Sequence, residues 1–92
     1  MRRIAVISAV LENPQISQRA FNDTLSMYND IIRGRMGLPF ENEGVSVISV
    51  VVLGEIDVIN ALTGKLGNIP NLKVKTAISG ELNRSQDLGE CR

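Results

Sequence analysis

The sequence predicts an α+β domain of the ferredoxin-like type, with the element order β-α-β-β-α-β. Two observations predict it: four short segments are rich in β-branched residues, and two segments between them place apolar residues at helical spacing. In this topology a four-stranded antiparallel sheet carries both helices on one face. A chain of 92 residues has room for one domain, which we assign to residues 1–80.

The first strand and the first helix are predicted from residues 4–28. Residues 4–11 are mostly apolar and resemble a short signal peptide, but no small-residue cleavage site follows them, so a strand is the better interpretation. Asn13 and Pro14 then form a helix-start signal, because Asn caps first-turn amides and Pro needs no donor there. The helix is predicted over residues 14–28, with Ser17 on its solvated side. Its apolar face is expected to contain Ile16, Ala20, Phe21, Leu25 and Tyr28.

The middle of the chain predicts two further strands. Residues 31–36 form a short second strand, which the segment from Gly37 to Pro39 is expected to end. Residues 45–53 are almost entirely apolar and β-branched, and they give the clearest strand of the chain.

The second helix is expected to open at Gly54 and to end before Gly67. Its buried stripe should contain Ile56, Ile59, Leu62 and Leu66. Residues 72–78 alternate apolar and polar side chains and predict the fourth strand. Residues 81–92 are polar and without periodicity, so we predict a disordered C-terminal tail.

The first and third strands are apolar on both of their faces. Because two helices can cover only one face of the sheet, the other face would expose an apolar patch of roughly several hundred Å². We therefore expect a homo-oligomer, either a dimer or a tetramer. Its contact face is predicted to contain Ile7, Ile48, Val50 and Val52. The alternative is that small residues leave this face sufficiently solvated in a monomer.

The composition excludes several classes of function. The chain has no histidine, and Cys91 is its single cysteine, so we expect no metal site, no iron–sulfur cluster and no internal disulfide. A cytoplasmic location fits this cysteine content. Ten basic residues balance ten acidic ones, which argues against direct binding of nucleic acid. We expect a protein that is not an enzyme, carries no cofactor and does not enter a membrane.

Two short segments are the candidate contact sites for a ligand or partner. Arg33 and Arg35, next to Met36 and Gly37, could recognise an anion, although an ordinary solvated edge strand is the preferred interpretation. In the second helix, Gly64 and Lys65 resemble part of a phosphate loop, but Leu66 replaces the required Ser or Thr. We therefore reject a phosphate loop there and expect the glycine to pack closely against a neighbouring element, with contact to a ligand as the alternative.

Three segments carry a resemblance to a known family: Arg-Met-Gly-Leu-Pro at 35–39, Ala-Leu-Thr-Gly-Lys-Leu-Gly at 61–67 and Val-Lys-Thr-Ala-Ile-Ser at 74–79. Together they make residues 3–80 similar to the regulators of the iron-only hydrogenase system. The resemblance implies an ACT-like domain that self-associates and regulates through a small ligand or a protein partner. A structural assembly factor without any ligand remains the alternative function.

Overall fold

The computed structural model describes residues 1–80 and Leu82. Its helices and strands are β1 (Arg2–Glu12), α1 (Pro14–Ser26), β2 (Ile32–Phe40), β3 (Val45–Glu55), α2 (Ile56–Gly67) and β4 (Leu72–Ile78). The strands form one antiparallel sheet in the order β2-β3-β1-β4. This arrangement confirms the ferredoxin-like plan, with β1 and β3 in the centre. The tail predicted at 81–92 lies, except for Leu82, outside the described residues.

The register of the sheet decides which side chains share a face. β1 and β3 pair along their whole length, and Ser8 of β1 lies opposite Ser49 of β3. On the two edges, Lys75 of β4 pairs with Ser8, and Met36 of β2 pairs with Ser49. Because directly paired residues project to the same side of a sheet, these four side chains form one row across it.

The two helices cover the face formed by the odd-numbered residues of β1 and the even-numbered residues of β3. The core on this side includes Ile7, Val50 and Val52, each 0% exposed, and Ile48 at 5%. The prediction that these four residues form the contact face is therefore wrong, because helices of the same chain cover them. A two-residue period separates the faces of a strand but does not say which face the helices take.

The helix-covered face is the more uniformly apolar of the two. In its central part it places Ala5, Ala9 and Leu11 beside the four residues above, whereas the opposite face carries Ser8 and Ser49 at its centre. Burial without a hydrogen-bond partner costs a hydroxyl group about 1–3 kcal/mol. The sheet face that carries Ser8 and Ser49 is thus less suitable for the dry core than the other face.

Helix α1 is shorter than predicted and is rotated about its axis. It ends at Ser26 instead of residue 28, and it buries Ser17 together with Phe21 and Leu25. Ile16, assigned to the apolar face, is 57% exposed. Ser17 fits beneath the helix because it is small and its hydroxyl lies 3.4 Å from the Asn13 carbonyl oxygen. A larger side chain would hold the start of the helix away from the sheet.

The cap of α1 also differs from the expected one. Asn13 adopts a left-handed backbone conformation with φ 57°, and its side chain makes no capping hydrogen bond. Instead its carbonyl oxygen accepts hydrogen bonds from the amides of Ile16 and Ser17, at 2.9 and 3.3 Å. The amide of Asn13 in turn donates to the Gly44 carbonyl oxygen, at 3.3 Å, which ties the helix start to the connection between β2 and β3.

Two strands run further than the sequence predicts. β2 continues through Pro39 to Phe40, because an edge strand tolerates a proline whose missing amide is not needed by a neighbour. β3 continues through Gly54, which is buried in the strand and does not open the helix. Helix α2 accordingly starts at Ile56. Three residues of the predicted stripe are buried, Ile59, Leu62 and Leu66, whereas Ile56 at the start of the helix is only partly buried.

Candidate functional site

The sheet face opposite the helices presents a broad set of apolar side chains. We call it the open sheet face. It receives alternate residues from β1, β2 and β3, as the strand pairings show. Its apolar side chains are Ile4, Val6, Val10, Met36, Leu38, Phe40, Val45, Val47, Val51 and Leu53.

Several of these side chains are strongly exposed. Met36 is 71% exposed and Leu38 is 57% exposed, both on the edge strand β2. In the centre of the sheet, Val6 and Val51 are directly paired and are exposed by 39% and 38%. A single exposed apolar residue is ordinary, whereas contiguous exposed apolar sets are typical of interaction surfaces.

The polar groups of the open sheet face lie at its centre and along one edge. Ser8 and Ser49 occupy the middle of the central strand pair. Lys73 and Lys75 line the β4 edge, and the Lys73 ammonium lies 3.6 Å from a carboxylate oxygen of Glu12. Lysine stems pack against apolar surface while their charged ends reach solvent, so this edge is suited to the rim of an interface.

Arg33 and Arg35 do not form the paired anion site that the sequence suggested. Arg35 lies opposite Val50, on the helix side of the sheet. Its Nη2 atom donates to the Asn22 side-chain oxygen at 3.0 Å, and its guanidinium is 5.9 Å from the centre of the Phe21 ring. Arg35 is thus engaged with helix α1.

A β-bulge explains the separation of the two arginines. The bulge lies between Ile32 and Gly34 and interrupts the alternation at Arg33. The Arg33 guanidinium donates instead to the Asp30 carbonyl oxygen, at 3.4 Å. The two side chains therefore have different partners, and the spacing of two residues does not place them as a pair.

The other four candidate residues are distributed over both sides of the molecule. Met36 lies on the open sheet face, whereas Gly37 pairs with Ile48 on the helix side. Gly64 is exposed on α2, and a Cβ atom added there would meet nothing within 4 Å, so the expected close packing is wrong. The Lys65 ammonium lies 5.2 Å from the centre of the Tyr28 ring. These residues do not share one pocket.

The structure also contains a groove that the sequence did not indicate. It lies between the start of α1 and the connection from β2 to β3, and it has a volume of about 350 Å³. Gln15, Gln18 and Ser46 supply hydrogen-bonding groups to it, and Phe40 supplies an apolar wall. These residues come from separate segments that only the packed fold brings together, so no local sequence pattern signals the groove.

The described residues give no indication of a metal centre or a membrane span. Within residues 1–80 and Leu82, no three metal-binding side chains of the His, Cys, Asp and Glu types come together. In that same part of the chain, neither helix is long and apolar enough to cross a bilayer.

Residues 3–76 match the sequence model of the TM1266-like family, described as "Iron-only hydrogenase system regulator, putative". Among solved structures, the uncharacterized protein TM1266 from Thermotoga maritima is 32% identical and superposes with a TM-score of 0.81. The similarity covers 85% of this chain and 98% of that protein. No curated protein matches the chain significantly.

Two more distant structures share the fold. An unknown protein from Galdieria sulphuraria is 14% identical with a TM-score of 0.60, and the match covers 90% of this chain but 48% of that one. SnoaB, a cofactor-independent oxygenase from Streptomyces nogalater, is 9% identical with a TM-score of 0.52. The SnoaB match covers 90% of this chain and 96% of the oxygenase. At these identities the likeness concerns the fold alone.

Proposed function

The chain belongs to the TM1266-like family of iron-only hydrogenase system regulators, and we propose that it is a non-enzymatic regulatory module of that system. It acts in the cytoplasm as a homo-oligomer, through a small ligand or a protein partner. The family match over residues 3–76 is the observation that carries the regulatory role.

The open sheet face supports the oligomeric part of this proposal. Its central strands present Val6 and Val51 to solvent, and its edge presents Met36 and Leu38. Removing such a surface from water is favourable by about 25 cal/mol per Å² of apolar area. An interacting surface of this kind gives the module a way to associate without any cofactor.

The groove beside α1 supports a small ligand as the regulating signal. Its volume of about 350 Å³ is at the lower end of the range of roughly 300–1,000 Å³ that small-molecule sites occupy. The amides of Gln15 and Gln18 can each donate and accept hydrogen bonds, and Glu41 adds a carboxylate. This lining suits a small polar molecule that is neutral or positively charged. The carboxylate repels anions, and the glutamine amides can hydrogen-bond to an uncharged molecule.

Deletion of the gene in the native host tests the regulatory role. We expect a change in iron-only hydrogenase transcripts or in hydrogen evolution, and recovery when the wild-type gene is returned. Both quantities should be measured, because regulation of synthesis changes transcripts whereas regulation of assembled enzyme changes activity alone. Unchanged transcripts together with unchanged hydrogen evolution would contradict the proposal.

A structural assembly factor without a ligand is the second candidate, and the open sheet face favours it because association there requires no small molecule. A thermal-shift screen with amino acids, nucleotides and metal ions separates the two candidates. A ligand-sensing module is stabilised by a member of the screen, and Gln18→Ala should remove that shift. Asn60→Ala, an exposed change on α2, should leave it intact. Absence of any shift favours the assembly factor.

A further inference from the structure

We propose that a second copy of this chain covers the open sheet face, with the two sheets packed face to face and the Ser8–Ser49 pair at the two-fold axis. The inference rests on the homo-oligomer of the proposed function and assigns its interface. It replaces the residue set predicted from the sequence, which lies in the core.

The size of the face is sufficient for a stable dimer. The sheet has four strands of 7 to 11 residues. With a spacing of ~4.8 Å between strands and a rise of ~3.3 Å per residue, the face measures about 19 by 30 Å, or roughly 570 Å² in projection. Two copies together hide roughly 1,100 Å², which clears the lower limit of ~1,000 Å² for a specific interface and lies just below the usual ~1,200–2,000 Å².

The side chains of the open sheet face can pack against the same face of a second copy. Apolar side chains of β1 and β3 extend on both sides of the central serine pair, from Val45 and Val47 to Val51 and Leu53. The lysines lie on the outer strand β4, where they remain in contact with solvent at the rim. The chain has no net charge, so two copies meet without overall repulsion.

The central serines give the interface a defined centre. When two identical sheet faces pack against each other, the two-fold axis that relates them lies in the plane between the two sheets. With the axis at the Ser8–Ser49 pair, the hydroxyls of both copies come together, and each can donate one hydrogen bond and accept others. A shift by one row would place these hydroxyls against valine side chains of the other copy, so the arrangement centred on the serines is the favoured one.

The C-terminal residues of the same chain are poorly suited to cover this face. Residues 83–92 contain Leu88 as their single large aliphatic residue and are otherwise mostly polar or charged. The face, by contrast, presents apolar side chains on three strands. A second copy supplies a surface of equal size and equal apolar character.

Sedimentation velocity of the full chain and two matched variants tests the interface. Val51→Lys places a charge in the open sheet face, and Val58→Lys places one on α2 at nearly the same exposure, 38% against 36%. We expect wild type and Val58→Lys to form dimers. Val51→Lys should weaken the dimer by ~100-fold or more, because the buried ammonium has no partner.

Cross-linking gives a second measurement that does not depend on the folding of Val51→Lys. In a Cys91→Ser background, Ser49→Cys should be joined to its copy by a short bismaleimide, since packed sheets lie ~10 Å apart. Asn60→Cys on α2 serves as the control and should not be joined.

The outcomes distinguish a failure of this interface from a failure of the proposed function. Association that Val58→Lys disrupts and Val51→Lys leaves intact would overturn this interface while the homo-oligomer stands. A wild-type chain that is monomeric at every concentration overturns both.

Discussion

At the scale of single residues, one glycine of this fold allows a close approach that a side chain would prevent. Gly54 lies in β3, and a Cβ atom placed on it would be 2.8 Å from Cγ2 of Ile31. The side chain of Ile31 is buried, so it cannot move away into solvent. The glycine therefore serves a close approach between β3 and the turn before β2, a role that its sequence neighbours do not indicate.

Gly54→Ala should reduce the free energy of unfolding by about 1–3 kcal/mol, the usual cost of overpacking a filled core. Urea unfolding monitored by circular dichroism measures the change. Gly37→Ala is the matched control within the same sheet, since its Cβ would lie at an ordinary 3.7 Å from Ile48 Cγ1. Equal free energies of unfolding for the two variants would contradict this prediction, because Ile31 would then shift without any loss of stability.

Gly64→Ala should act in the opposite direction. Gly64 lies within α2 and is exposed, and a Cβ atom placed on it would have no neighbouring atom within 4 Å. Alanine is favoured over glycine in a helix by about 0.5–1 kcal/mol, so the variant should be more stable by that amount. The same urea titration measures it. A loss of stability would contradict the exposed and uncrowded position of Gly64.

At the scale of elements, the two central strands present one apolar set to the helices and another to solvent. Val50 is 0% exposed and Val51 is 38% exposed, although they are neighbours of the same residue type. The sequence identifies both sets correctly as apolar. It does not assign them to the correct faces, because the hydrophobic pattern of each strand is nearly symmetric.

Val50→Thr and Val51→Thr form a matched pair that tests this assignment. Val50→Thr puts a hydroxyl into the dry core and should cost about 1–3 kcal/mol of unfolding free energy. Val51→Thr leaves its hydroxyl accessible in the dissociated chain and should change the value by less than about 0.5 kcal/mol. Chemical unfolding at low protein concentration measures both. Similar costs for the two variants would contradict the faces described above.

Helix α1 shows a second limit of pattern reasoning at this scale. The sequence predicts its start at Pro14, because the signal is local: a proline at the first helical position. The sequence does not predict its rotation, because Ser17 is polar and yet lies beneath the helix. Burial of Ser17 depends on carbonyl oxygens of the preceding residues, which hydropathy alone does not represent.

At the scale of the whole molecule, the fold is a two-layer structure with one uncovered layer. Both helices pack on the same side of the sheet, and the other side retains exposed aliphatic residues on its central strands, such as Val6. A small domain has a marginal core, so the proposed association through this side would add stability that the single chain lacks.

The thermal midpoint of the wild-type chain should therefore depend on concentration. For a dimer of this size, we expect a rise of about 5–10 °C over a ~100-fold increase in concentration, because mass action favours the associated state. Val51→Lys should show a midpoint independent of concentration. Differential scanning calorimetry measures both, and a constant midpoint for the wild type would contradict association on folding.

The sequence by itself determined the order of the helices and strands, and it determined where they begin when a local signal marks the start. It also showed that the strands carry more apolar surface than two helices can cover. These properties depend on residues close together in the chain, such as Asn13 and Pro14. Only the tertiary structure decided which strand face the helices occupy, where the arginines at 33 and 35 point, and that a groove forms beside α1. Each of these depends on contacts between distant segments, whose packing selects one of several arrangements that the local patterns allow.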